Sequence, residues 1–169
     1  MELITSRLTI RNLCPDDWKV IKEIWQDFDK SAYAQYDVPH SNNDIEIQKL
    51  VKSFSESNDF FLVMLSATKE VIGTVDLHNT GNGYDIGFCF LSKFQGNGYA
   101  KESCTALIKL FAENGSKRFS AGTALKNTPA VKLLTALGFS RVNTEQVTFY
   151  KDEMGNNIYF EGGKFELLI

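Results

Sequence analysis

The stretch Gln95-Gly96-Asn97-Gly98-Tyr99-Ala100 holds the residue types in this chain best suited to binding chemistry. Glycine allows a sharp turn and lets a ligand approach the main chain closely. Upstream, Tyr84-Asp85-Ile86-Gly87-Phe88-Cys89-Phe90-Leu91 is short, aromatic-rich and strand-like. Downstream, Ala100, Cys104, Leu107, Ile108 and Phe111 recur at helical spacing, and Asn114-Gly115 supplies a stop. A strand is therefore expected to feed a helix through a two-glycine turn. The first N–H groups of a helix have no intrahelical acceptor, and the helix dipole adds partial positive charge there. That arrangement suits a phosphate or pyrophosphate.

Two familiar phosphate patterns fail on the same residues. A dinucleotide fingerprint starting at Gly96 would need a third glycine where Lys101 stands, and the next strand runs into Leu125-Lys126 without a ribose-binding acid. A Walker A loop needs Gly-Lys-Ser/Thr, which is absent. Taken alone, the glycine pair also fits a purely structural turn.

The elements that must hold this turn can be read along the chain. Arg7-Leu8-Thr9-Ile10-Arg11 alternates as a first strand. Cys14-Pro15-Asp16-Asp17 opens a helix with Val20, Ile21, Ile24, Trp25 and Phe28 as its buried stripe. An irregular segment with Tyr33, Tyr36 and Pro39 follows. Ser41 to Asp44 has capping-box spacing, ahead of an amphipathic face of Ile47, Leu50, Val51 and Phe54. Phe60–Leu65 reads as a strand buried on both faces. Val71–Leu77 and Tyr84–Leu91 should complete an antiparallel meander around the turn Asn79–Gly83. After the glycine turn and its helix, Arg118–Ala124 should pair parallel by a right-handed crossover. A helix from Asn127-Thr128-Pro129 buries Val131, Leu133, Leu134 and Leu137 and ends at Gly138; strands over Ser140–Lys151 and Ile158–Leu168 close the chain. The expected fold is α/β with a mixed sheet of about seven strands and four helices, in the order β-α-α-β-β-β-α-β-α-β-β.

The 169 residues are enough for one domain, expected to span 1–169. Hydrophobic content of 43% and charged content of 23% are those of a globular protein. The formal net charge of -3 argues against a general nucleic-acid binder and favours an amine-bearing partner. Cys14, Cys89 and Cys104 are widely spaced and form no CxxC pair, so neither a disulfide framework nor a metal site is expected. Met1-Glu2-Leu3-Ile4-Thr5 does not read as a signal peptide, and no apolar run approaches membrane-spanning length. The expectation is a cytoplasmic chain without membrane attachment; a homodimer is compatible with the same composition.

Gln95-Gly96-Asn97-Gly98-Tyr99-Ala100 resembles the Q/R-x-x-G-x-G/A signature of the GCN5-related N-acetyltransferase (GNAT) superfamily. The opening Thr5-Ser6-Arg7-Leu8-Thr9-Ile10-Arg11, the Asp85-Ile86-Gly87-Phe88 strand, Asn127 and the exit Leu137-Gly138-Phe139 fall in the same order as in that superfamily. The pattern is similar to the branch of ribosomal-protein alanine N-acetyltransferases. The resemblance implies direct acetyl transfer from acetyl-CoA to a primary amine, on a protein N-terminus or a small molecule. It also implies roles. Main-chain groups of Gln95, Gly96, Asn97, Gly98, Tyr99 and Ala100 would hold the coenzyme A pyrophosphate. Phe90 and Leu91 would offer backbone groups to the pantetheine arm and thioester carbonyl. Asn127 would bond near the thiol end, act as a helix N-cap, or do both.

An alkyl amine is mostly protonated at neutral pH, so a proton must be accepted, often through water. Asp85 stands where the branch often has glutamate, and is a candidate base or ammonium-orienting group; a solvated strand carboxylate is the competing reading. His78 lies across the hairpin turn and is the alternative base, or an exposed histidine. Many members carry a tyrosine seven residues after the motif asparagine, or a serine three after it, to protonate the departing thiolate. Here those positions are Leu134 and Ala130. Solvent, the product or Tyr99 would then take over. Cys89, between Phe88 and Phe90, reads as a packed thiol rather than a nucleophile. Tyr33 and Tyr36 are placed to line the amine pocket or to pack under their loop. A non-catalytic acyl-CoA-binding or regulatory domain, and a simple nucleotide-phosphate binder, are the competing functions.

Overall fold

The apolar run Phe60–Leu65 lies inside a single eight-stranded sheet in the computed structural model, which describes residues 1–169. The strands are β1 (Glu2–Ile4), β2 (Leu8–Asn12), β3 (Phe60–Leu65), β4 (Val71–Asn79), β5 (Tyr84–Phe90), β6 (Arg118–Ala124), β7 (Ser140–Lys151) and β8 (Asn157–Leu168). The helices are α1 (Trp18–Asp29), α2 (Asp44–Ser57), α3 (Tyr99–Glu113) and α4 (Thr128–Ala136). Spatial order across the sheet is β1-β2-β3-β4-β5-β6-β8-β7. All pairs are antiparallel except β5 with β6. The fold expected from the sequence is present, with one strand more than the seven expected. The addition, β1, is a three-residue edge strand, too short to show any alternation.

The two-sided burial of β3 has a direct cause. Phe61 and Val63 join the larger core, which α3 and α4 cover with Leu107, Ile108 and Leu134. Leu62 points the other way, to Leu13, Ile21, Ile47 and Val51 under α1 and α2. A continuous apolar strand is thus the divider between two helical layers. No helix is long and apolar enough to cross a membrane.

Three local expectations change. The N-cap of α2 is Asn43, whose side chain accepts from the N–H of Ile45 and Glu46; Ser41 bonds the Glu46 carboxylate instead. Leu50 is exposed: Ile47 and Val51 are the buried residues of that helix, and Phe54 stacks on Phe60 of β3. In α4 the fully buried positions are Ala130 and Leu134, with Val131 and Leu137 only packed at the margin.

Candidate functional site

The parallel ladder between β5 and β6 contains only Tyr84 opposite Phe119 and Asp85 opposite Ser120. Beyond Asp85 and Ser120 the strands part, whereas β5 stays paired with β4 over the whole of Tyr84–Phe90. Leu91 donates its N–H to the Ile72 carbonyl on β4, at 3.0 Å. Strand alternation then turns the main-chain groups of Phe88 and Phe90 towards the gap, past the end of the ladder. A cavity of about 370 Å³ opens in that gap. Ile86, Gly87 and Phe88 form one wall and Ala121, Gly122, Thr123 and Ala124 the opposite wall. Ala130 and Leu134 of α4 close it on one side, while Tyr33, Tyr36, Phe149 and Phe160 border it on the other. Asp37 and Glu145 are its two carboxylates.

The glycine turn stands just past the end of β5. Gly96 and Gly98 have φ of 77° and 78°, left-handed values that explain glycine at both positions. A Cβ on Gly96 would meet open space, so its identity is set by backbone conformation and not by crowding. No backbone acceptor takes the N–H groups of Gly96 through Lys101, and Gly98 caps α3 with no side-chain bond. The first intrahelical bond is from the Glu102 N–H to the Gly98 carbonyl, at 3.0 Å. A run of unspent donors at an exposed helix start has the geometry to receive an anion.

Each residue singled out in the sequence has a definite place. Gln95 spends its side chain on the Phe90 carbonyl at 2.9 Å, tying the turn to the strand end. Asn97 bonds the carbonyls of Phe94 and Gln95 and so shapes the turn. The N–H of Phe90 faces the gap, but that of Leu91 is committed to β4. Asn127 borders the cavity and also caps α4, accepting the Ala130 N–H at 3.3 Å. Tyr99 packs its ring beneath the Arg7 guanidinium and does not border the cavity. Leu134 and Ala130 do border it, so the missing tyrosine and serine leave an apolar wall. Cys89 lies on the other face of β5; burial, then the charges of Asp37, Asp27, Asp29 and Asp76, pushes its thiol up to about 12. Such a thiol is inert as a nucleophile at neutral pH.

Asp85 and His78 face each other across β4 and β5, on the side of the sheet covered by α1 and α2. Asp85 accepts a 2.6 Å hydrogen bond from the Ser120 hydroxyl, at the closed end of the ladder. His78 is three-quarters exposed, with Nδ1 3.3 Å from Asp59. The sequence reading missed a third member, Asp76, which is opposite Gly87 in the register. Its carboxylate covers Gly87, itself part of the cavity wall. Burial, and then the charges of Asp59 and Asp85, pushes the Asp76 carboxyl up from 3.8 to about 6, with His78 pulling the other way. A carboxylate in an otherwise apolar strand, two residues from a histidine, was the available signal.

Residues 7–140 match the family model described as an acetyltransferase (GNAT) domain. The chain belongs to the GNAT acetyltransferase family. Acetyl-CoA-dependent transfer of an acetyl group to an amine is the chemistry of this GNAT chain, with acetyl-CoA as co-substrate. It is 30% identical over 151 residues to the uncharacterized N-acetyltransferase p20 of Bacillus licheniformis, covering 82% of each chain. It is 26% identical over 149 residues to the uncharacterized N-acetyltransferase YnaD of Bacillus subtilis (strain 168), covering 83% of this chain and 84% of that one. Among solved structures, a GNAT-family acetyltransferase from Bacillus anthracis superposes with a TM-score of 0.82 at 23% identity, over 99% of this chain and 98% of that one. A spermidine N-acetyltransferase from Vibrio cholerae, in complex with CoA and spermine, gives 0.78 at 22% identity, over 97% and 96% of the two chains.

Proposed function

We propose that this GNAT chain acetylates a primary alkyl amine that enters the cavity from the α1–α2 side, with Asp76 as the proton acceptor. The observation that carries the reading is the position of Asp76 over Gly87. Gly87 borders the cavity and carries no side chain, and the Asp76 carboxylate occupies the place its Cβ would take. A carboxyl near 6 is mostly ionised at neutral pH, yet basic enough to take a proton as the amine attacks the thioester carbonyl. His78, two residues along β4 and open to solvent, would pass the proton outwards, and the charge of Asp85 would help keep Asp76 basic.

On the donor side, the N–H groups of Gly96, Asn97, Gly98, Tyr99 and Ala100 would bind the pyrophosphate, and the Phe90 N–H would polarise the thioester carbonyl. Asn127 would serve the thiol end while keeping its capping bond. The departing thiolate needs little help, since a thiol of pKa about 8.5 is a tolerable leaving group. On the acceptor side, Asp37 and Glu145 among Tyr33, Tyr36, Phe149 and Phe160 form a carboxylate-and-aromatic lining of the kind that receives alkylammonium groups. This supports a small amine of the spermidine type, the acceptor named for one structural neighbour, over a bulky N-terminal segment. The three free cysteines support action in a reducing compartment, the cytoplasm.

Thiol release from acetyl-CoA across a panel of polyamines, amino sugars and short peptides tests the assignment. Turnover with an aliphatic amine, and its loss in Asp76→Asn, is the expected outcome. A peptide N-terminus as the only productive acceptor would overturn the small-amine reading, and an unaltered Asp76→Asn rate would remove Asp76 as the base.

A further inference from the structure

Glu102 sits in the first turn of α3, beside the unspent N–H groups. A carboxylate near an anion cradle works against phosphate binding by simple repulsion. The structure shows what its charge is spent on. Oε1 accepts from the Thr5 hydroxyl at 2.6 Å, the Ser6 hydroxyl at 3.0 Å and the Arg7 N–H at 3.0 Å; Oε2 accepts from Arg7 Nε at 2.7 Å. Desolvation raises the Glu102 carboxyl, but the bonds from Thr5, Arg7 and Ser6 outweigh it and hold the group below its ordinary value. The acid is therefore an anchor for residues 5–7 and remains ionised.

What that anchor positions is a guanidinium. Arg7 Nη1 donates to the Asn97 carbonyl at 3.0 Å, inside the glycine turn, and Cζ stands 4.6 Å above the Tyr99 ring. Nε and Nη1 are thus committed. Nη2 has no acceptor within the protein, and lies 3.5 Å from where a Cβ on Gly98 would project. The Arg7 side chain is half exposed, and Nη2 is the edge that lies beside Gly98 in the turn. Three contacts on one planar group fix its orientation in a way that a flexible surface arginine would not have. Glu102 thus holds a cation of opposite charge against the glycine turn.

Resting on the GNAT reading of the glycine turn, we propose that Arg7 is a donor-binding residue: its free Nη2 edge bonds a pyrophosphate oxygen held by the N–H groups of Gly96–Lys101, and Glu102 is its positioning residue. The residues are 90 or more apart in sequence, so the contact exists only through the docking of β2 against α3.

Calorimetric titration of wild type, Arg7→Gln and Arg7→Lys with CoA, dephospho-CoA and pantetheine tests this. Arg7→Gln should weaken CoA and dephospho-CoA by the same factor, on the order of 10-fold or more, and leave pantetheine unchanged. Arg7→Lys keeps the charge beside Glu102 but loses the fork, so it should show an intermediate loss for the same two ligands and guards against misfolding of the glutamine variant. Loss confined to CoA would move the contact to the 3′-phosphate and overturn the pyrophosphate assignment. Equal affinity in all three proteins overturns the role of Arg7 alone. Failure of wild type to bind either nucleotide overturns the donor reading of the glycine turn together with that of Arg7.

Discussion

The carboxylate of Asp76 fills the space above Gly87: a Cβ on residue 87 would stand 2.5 Å from Oδ1 and 2.7 Å from Oδ2. Those contacts are far inside van der Waals range, so any side chain at 87 must rotate Asp76 away. Gly87→Ala is expected to lower kcat by about 10-fold or more, because a displaced base loses its alignment. The affinity for CoA should stay within about 2-fold of wild type, since the cradle lies beyond the end of β5. Calorimetry together with thiol-release kinetics separates the two effects; parallel losses in kcat and CoA affinity would contradict the assignment.

Asp76 itself should set the acid limb of the pH–rate profile. As the proposed base it must be ionised, so kcat/KM should rise with pH through about 6, the value to which burial lifts this carboxyl. Asp76→Asn should cost on the order of 10²-fold and flatten that limb. If Asp85→Asn removes the limb instead and Asp76→Asn leaves it, the base is Asp85.

The same carboxyl has a signature in stability. It titrates near 3.9 when unfolded and near 6 when folded. Between those values the folded state binds more protons, so stability falls as pH rises through the window and stays reduced above it. Asp76→Asn removes that penalty. The variant should exceed wild type at neutral pH by up to roughly 3 kcal/mol, with the advantage fading towards pH about 4. Urea unfolding at the two pH values measures the difference, and a pH-independent gap would show that desolvation of Asp76 is not its cause.

Gly98→Val places a β-branched residue at a φ of 78° and a Cβ against Arg7. The strain of about 1–2 kcal/mol should be relieved by reshaping the exposed turn, which dissolves the run of aligned N–H groups. CoA binding should be lost while the melting temperature falls by only a few degrees. Unchanged calorimetric affinity would remove the turn from the donor site.

Leu134 faces the cavity from a fully buried position in α4. Leu134→Tyr should destabilise the protein by about 1–3 kcal/mol through overpacking and, if the thiolate departs without a side-chain acid, leave kcat within about 2-fold. The basic side of the wild-type profile should then be a plateau. A basic limb that vanishes in Tyr99→Phe would identify Tyr99 as the acid, despite its position under Arg7.

Local sequence determined the interior strand and the glycine turn, but not the cap of α2 or the exposure of Leu50. Phe60–Leu65 had to be an interior strand because it offers no polar face, and Gly96 and Gly98 had to mark a turn because left-handed φ costs glycine nothing. The strand–turn–helix order then fixed an exposed helix start with free donors. It left open which acid lies behind the cavity. Asp85 is marked by its neighbours in sequence, whereas Asp76 is marked only by the antiparallel register that sets it opposite a glycine. Registry between strands is a property of two segments at once and leaves no local pattern. Arg7 is the same case at longer range: its place above Tyr99 follows from β2 docking against α3, and Glu102, a seemingly ordinary first-turn acid, is its partner. The splay of β5 from β6 likewise required the whole sheet, because β8 draws β6 aside along its full length while β4 holds β5.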